Sequence, residues 1–179
     1  MLIKSQDAEN AAVLDTAKAM CAAIRTAPKT KGQDYVDSCI VTGDEKEALA
    51  VKMEEIGKKY DLAFFIRDAG CVRKSGAVVL AGVKNVRRGL DALCQYCGHP
   101  GCKACEEAGG ECVYGPIDLG IAVGSAVALA ADRHIDNRVL FSAGRAAAAL
   151  GLPGEGYGCV LGIPLAAAGK SPFFDRKHK

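Results

Sequence analysis

Cys94-Gln-Tyr-Cys97-Gly-His-Pro-Gly-Cys102-Lys-Ala-Cys105-Glu-Glu-Ala-Gly-Gly-Glu-Cys112 carries five of the chain's nine cysteines, spaced C-x2-C-x4-C-x2-C-x6-C. Thiols this close are oxidised to one another, bound to metal, or kept reduced at some cost. A C-x2-C pair turns two sulfurs toward one point, and Gly98, Pro100 and Gly101 let the backbone wrap around it. An all-sulfur donor set suits zinc or an iron–sulfur cluster and is a poor site for magnesium or calcium. Zinc ribbons commonly hold their two knuckles about 15–20 residues apart. Here only the four residues 98–101 separate them, so the spacing favours an iron–sulfur site, with zinc as the alternative. The plainest competing reading is a metal staple with no redox role.

The rest of the composition bounds what can surround this stretch. A chain of 179 residues is long enough to bury a full core as one domain, 1–179, with 94–112 as a Cys-rich insertion. Half its residues are apolar and a quarter charged, as in a globular protein. A net charge of +2 gives no electrostatic reason to expect nucleic acid or an anionic membrane. Lys4, Asp7 and Glu9 interrupt any N-terminal signal, and the charge-free stretches 119–131 and 156–169 are short for a bilayer span. These features point to the cytoplasm, where clustered cysteines more often mean metal than disulfides.

Periodicity predicts alternating helices and strands. Val13, Leu14, Ala17, Cys21 and Ile24 recur at helical spacing over 9–26, ahead of Pro28. Residues 35–42 read as a strand, and Thr42 and Asp44 offer caps for a helix over 45–60. The apolar run 63–66 fits either state. Residues 77–83, apolar throughout, read as a central strand. Asp118 can cap a helix to about Arg133, rich in small residues suited to close packing against another helix or a partner subunit. A strand over 138–142, a helix over 144–150 and a strand over 158–165 complete the pattern, followed by a basic tail over 170–179.

Other candidate groups read more plainly as structure. Cys21, Cys39 and Cys159 fall on apolar faces or in strands, where a thiol is a small hydrophobe. Cys71 has Arg73 and Lys74 nearby, which could stabilise a thiolate, although a structural role is favoured. His99 lies among the metal-site cysteines and could donate a hydrogen bond to the site. His134 suits a helix C-terminus, and His178 lies in the tail. Arg73, Lys74, Lys84, Arg87 and Arg88 could form a basic docking patch for an acidic redox partner, with a solvated face as the safer reading. Gly154-Glu-Gly-Tyr-Gly158 precedes a strand, the wrong order for a dinucleotide fingerprint, and reads as a turn.

Two blocks carry a family resemblance. Cys94-x2-Cys97-Gly-x-x-Gly-Cys102, then a short helical segment and Cys112, resembles the compact four-cysteine [4Fe–4S] module of some electron-transfer and corrinoid proteins. By that resemblance the ligands are Cys94, Cys97, Cys102 and Cys112, with Cys105 an extra thiol, and the choice between Cys105 and Cys112 stays open. Arg25-Thr-Ala-Pro28-Lys, with the strand and Gly-Asp-Glu-Lys helix after it, resembles the first half of the FMN-dependent nitroreductase-like fold. Asp118-Leu-Gly-Ile-Ala, Ala-Leu-Gly-Leu-Pro153 and Val160-Leu-Gly-Ile-Pro164 resemble its second half. Together they resemble the bacterial and archaeal ferredoxin-domain-containing family over nearly the whole chain.

The resemblance implies an α+β class: a nitroreductase-like mixed sheet flanked by helices, with the Cys-rich insertion. It also implies a homodimer with an FMN site at the subunit boundary. Nitroreductases place Ser and Asn after Ala-Pro, whereas this chain has Lys29, Thr30, Lys31, Gly32 and Gln33. Arg25, Lys29, Lys31 and Arg176 are then the candidates for a flavin phosphate. The expected activity is electron transfer by one [4Fe–4S] cluster, to a partner protein or through flavin as an oxidoreductase of unspecified substrate. The alternatives are a zinc-stabilised binding module and an iron–sulfur sensor or delivery protein.

Overall fold

The computed structural model describes residues 1–174. Its centre is β2 (Ala77–Lys84), whose residues 77–83 are all buried. A strand apolar on both faces needs cover on both sides, and the alternation of its side chains assigns that cover. Ala77, Val79, Ala81 and Val83 point to one layer, and Val78 and Leu80 to the other. The sheet has the order β1-β2-β4-β3, with β1 (Val36–Val41), β3 (Asp136–Asn137) and β4 (Tyr157–Ala166). Every pairing is antiparallel.

The first layer is α1 (Ser5–Thr26) packed on α5 (Tyr114–Asp132). Val13, Ala17, Met20 and Ile24 meet Leu119, Ala122, Ala126 and Ala130 over the sheet. The face of α1 is rotated from the one periodicity suggests: Met20 is fully buried, whereas Leu14 is partly exposed. By length and composition α5 could cross a membrane, yet here one side lies on the sheet and α1, with Asp118 buried. The second layer is α2 (Gly43–Tyr60), α3 (Ala63–Lys74) and α6 (Phe141–Ala149). Leu49, Met53, Phe65, Val72, Ala143 and Ala147 cover the opposite sheet face. The ambiguous run 63–66 is thus the first turn of α3.

The expected strand over 138–142 is corrected. Leu140 makes an isolated bridge to Gly162, donating to its carbonyl at 2.8 Å and accepting at 3.1 Å, and the chain then turns directly into α6. Small residues make that turn possible. A Cβ on Gly144 would lie 1.8 Å from the Val160 carbonyl oxygen, and one on Gly162 would lie 2.6 Å from the Ala143 Cβ. Helix and strand therefore touch backbone to backbone. The 154–158 segment is the turn into β4, with Gly156 at φ 80°.

Candidate metal centre

The cysteine stretch lies between the end of β2 and the start of α5. Irregular pairing between Val83 and Lys84 releases the chain from the sheet. A short 3-10 turn at Asp91–Leu93 then brings Cys94 N–H to the Asp91 carbonyl at 3.1 Å. Gln95 at φ 50° and Gly98 at φ 79° make the next turn, closed by Gly98 N–H to the Gln95 carbonyl at 2.9 Å. α4 (Cys102–Glu107) follows and places Cys102 and Cys105 one turn apart.

Cys94, Cys97, Cys102, Cys105 and Cys112 line one cavity of about 360 Å³, counting its open mouth. Arg87, Arg88, Asp91, His99 and Tyr114 share its wall. Cys105 is buried and the other four thiols are half-buried; all nine cysteines are free thiols. Among the described residues no three of the cysteines, histidines or acids converge tightly enough to grip one ion as they stand. Burial pushes the Cys105 thiol up, its contact with Cys97 adds to this, and Arg87 opposes both. Burial likewise raises the Tyr114 phenol, beside Cys94 and Cys112, and its ring stacks on Tyr96 at 6.0 Å. The donor set fits a thiolate-bound metal group. It is all sulfur, it faces one space, and one sulfur already accepts a backbone hydrogen bond of the kind that cluster ligands use.

That hydrogen bond comes from Asp91, a residue that spacing alone does not reveal. Its N–H donates to Cys102 Sγ at 3.3 Å, and its Oδ1 accepts from Cys102 N–H at 2.9 Å. The carboxylate thus satisfies a free N–H at the start of α4 while the backbone aims at the thiol. A Cβ on Gly101 would lie 2.6 Å from this carboxylate oxygen, so a larger residue there would push Asp91 aside. Asn85 is the second support. Its Nδ2 donates to the Gly110 carbonyl at 3.3 Å, and its Oδ1 accepts from Cys112 N–H at 3.2 Å. Arg87 Nη2 donates to the same Gly110 carbonyl at 2.9 Å. Asn85 and Arg87 together hold the returning segment that presents Cys112.

Beneath the cavity lies a buried ion pair. Arg88 and Asp118 side chains are each 1% exposed, and Arg88 Nε and Nη2 both donate to Asp118 Oδ2, at 3.1 and 2.9 Å. Asp118 Oδ1 accepts from Thr30 N–H at 2.9 Å and from Thr30 Oγ1 at 2.8 Å. Arg88 Nη1 donates to the Val86 carbonyl, and its guanidinium stacks on Tyr35 at 4.8 Å. Buried charges persist only when paired and hydrogen-bonded in this way. Asp118, expected as a helix cap, therefore joins the 27–33 loop, the approach to the cysteines and α5.

The basic residues of the suggested docking patch are dispersed. Arg73 pairs with Glu47 and Glu54 across α2 and α3, Lys84 lies over the Tyr157 ring, and Arg88 is interior. The candidates for a flavin phosphate have partners of their own. Arg25 pairs with Asp34 at 2.7 Å and Asp37 at 2.8 Å. Lys29 is 4% exposed, donates to the Ile24 and Arg25 carbonyls at the end of α1, and has its charge disfavoured mainly by burial. Lys31 donates to the Gly89 carbonyl at 3.5 Å. Arg176 and His178 lie outside the described residues. Cys71 belongs to the second core layer, and burial pushes its thiol up, the structural role favoured for it. Cys39 is pushed up to about 11 by the same cause.

Residues 108–176 match the protein family described as "uncharacterized protein containing a ferredoxin domain (DUF2148)". An uncharacterized protein of Archaeoglobus fulgidus is 42% identical over 187 residues, with both chains covered completely. Among solved structures, a nitroreductase with bound FMN from Bacteroides fragilis superposes with a TM-score of 0.59 at 12% identity. The match covers 100% of this chain and 85% of the other. A nitroreductase with bound FMN from Desulfitobacterium hafniense gives 0.58 at 18% identity, over 87% and 78% of the two chains. The NADPH:FMN oxidoreductase of Vibrio harveyi complexed with NAD+ gives 0.56 at 16% identity, over 91% and 63%. At these identities the likeness establishes the α+β, nitroreductase-type fold alone.

Proposed function

The chain belongs to the family of ferredoxin-domain proteins, built on a nitroreductase-type fold, and from that premise we propose that it is an iron–sulfur redox protein. In this reading Cys94, Cys97, Cys102 and Cys112 hold one [4Fe–4S] cluster and Cys105 is a fifth, spare thiol. The observation that carries the reading is that five thiols line one cavity, with Asp91 N–H already aimed at Cys102 Sγ. The cluster would supply one-electron transfer. The chain's own part is to hold the thiols, wall one side of the site with Tyr114, and anchor the loop through Asn85 and Asp91.

A cytoplasmic setting, which keeps thiols reduced, goes with this reading. So does a homodimer, for which the outer face of α5 is the natural seam, with Ile117 and Ile121 both partly exposed. A redox partner protein or a small-molecule acceptor would take the electron.

The test is anaerobic purification followed by iron and acid-labile sulfide analysis. The expected result is both elements in near-equal amounts, with broad absorption near roughly 400 nm. Colourless protein with stoichiometric zinc would replace the reading with a structural metal site. Iron that passes readily to an acceptor protein, with no electron uptake, would make it a delivery protein or sensor. A flavin spectrum released on denaturation of the same material would add FMN, which two of the structurally similar nitroreductases bind.

A further inference from the structure

Arg87 stands on the wall of the cysteine cavity with an unusual surplus. Its side chain is 20% exposed, and Nη2 is committed to the Gly110 carbonyl at 2.9 Å. Its Nε–H is buried and has no acceptor. A buried donor without an acceptor is costly, commonly about 1–3 kcal/mol, so such a group calls for an explanation. Its neighbour Arg88 lines the same cavity but is neutralised by Asp118. The carboxylate paired with Arg87 is Glu106, 4.0 Å away and 71% exposed, where solvent screens it. Arg87 therefore brings an under-compensated positive charge and a free donor to a site built from thiols.

Resting on the iron–sulfur reading above, we propose that Arg87 tunes the reduction potential of the cluster. Its free N–H donates to a sulfur of the cluster or of its ligands, and its charge favours the reduced state. Reduction moves one electron from an external one-electron donor, here dithionite, into the cluster. The donor is oxidised by that electron, and Arg87 gains and loses no proton. A cation beside the site stabilises the form with one more negative charge, so removing it makes reduction harder. Arg87 is a tuning and positioning residue and need not ligate iron.

The experiment is a redox titration of the full-length, cluster-loaded protein, followed by visible absorption and by the paramagnetic signal of the reduced cluster. Iron and sulfide are assayed in each sample. Arg87→Gln should lower the ratio of reduced to oxidised cluster at fixed potential by about tenfold or more, a shift of about 59 mV toward negative values. Arg87→Lys keeps the charge and loses the fork, so its shift should be smaller. Glu106→Gln removes the opposing carboxylate, which solvent weakens without abolishing, and should shift the ratio the other way by a smaller factor. This variant carries the test if the Arg87 variants fail to load. A purely structural Arg87 would reduce loading but leave the potential of the loaded fraction and that of Glu106→Gln at the wild-type value, which would overturn the proposal. Wild-type protein devoid of iron and sulfide would instead sink the iron–sulfur reading, and this proposal with it.

Discussion

Changing Asp118 to asparagine removes one negative charge from a site where its partner guanidinium is almost wholly enclosed. The carboxylate serves four hydrogen bonds, two from Arg88 to one oxygen and two from Thr30 to the other. Asparagine offers one acceptor oxygen and an NH₂ group, so it can answer Thr30 or Arg88 but not both. Whichever it answers, a charged Arg88 remains buried without a counter-ion. Breaking a buried pair from one side typically costs about 3–5 kcal/mol. For a domain of this size that is a fall in Tm of about 6–20 °C. Arg88→Met should cost a similar amount by stranding the carboxylate. The double variant Arg88→Met, Asp118→Asn keeps an acceptor for Thr30 and removes both charges, so its cost should fall well below the sum, with a coupling of about 2–3 kcal/mol. Denaturant unfolding of the four proteins, handled anaerobically and matched for metal content, measures the cycle. A cost under about 1 kcal/mol for Asp118→Asn, or strict additivity, would refute the view of this pair as the anchor of the cysteine segment.

Cys97→Ser and Cys102→Ser should each abolish iron retention while Cys105→Ser largely preserves it; iron assays decide, and loss of iron in Cys105→Ser would make Cys105 the fourth ligand in place of Cys112. Gly144→Ala forces a methyl into the Val160 carbonyl, so despite the better helix propensity of alanine it should destabilise by about 1–3 kcal/mol in urea unfolding. Glu54 is held below the ordinary carboxylate value of 4.5, chiefly by its hydrogen bond from Arg73. Its contribution to stability is therefore full above that value and fades as the pH falls through the lower folded one. Glu54→Gln should accordingly lie below wild type at neutral pH and converge with it in acid, as Tm measured against pH would show.

What the sequence makes legible here follows from how local each signal is. The cysteine spacing is self-contained, and 77–83 reads as an interior strand because it is short, rich in valine, free of polar residues and bounded by Gly76 and Lys84. The two-layer cover follows from period-two alternation once that strand is placed. Leu140 misleads because its β-like neighbours suggest a strand, whereas a single bridge to Gly162 is all the sheet gives it before α6 begins. Arg87 and Arg88 read as solvated charges because their partners are distant in sequence, Gly110 late in the cysteine stretch and Asp118 beyond it. Asp91 and Asn85 act through backbone groups, which leave no trace in residue type. Lys29 likewise gives no local sign that it spends its charge on the last carbonyls of α1.

Residues 85–113, between β2 and α5, make a closed excursion. Gly115, where the chain re-enters the core, sits so near its point of departure that a Cβ there would lie 3.8 Å from the Val83 side chain and 3.9 Å from the Lys84 carbonyl oxygen. An out-and-back path of this kind behaves as a cassette. With Arg88 kept to pair Asp118, the rest of its contents can be lengthened, shortened or exchanged without asking the central strand or the long helix to shift. The sulfur chemistry and the supporting architecture can therefore diverge independently, and a shorter loop that keeps Arg88 but drops the cysteines should still let the two-layer body assemble.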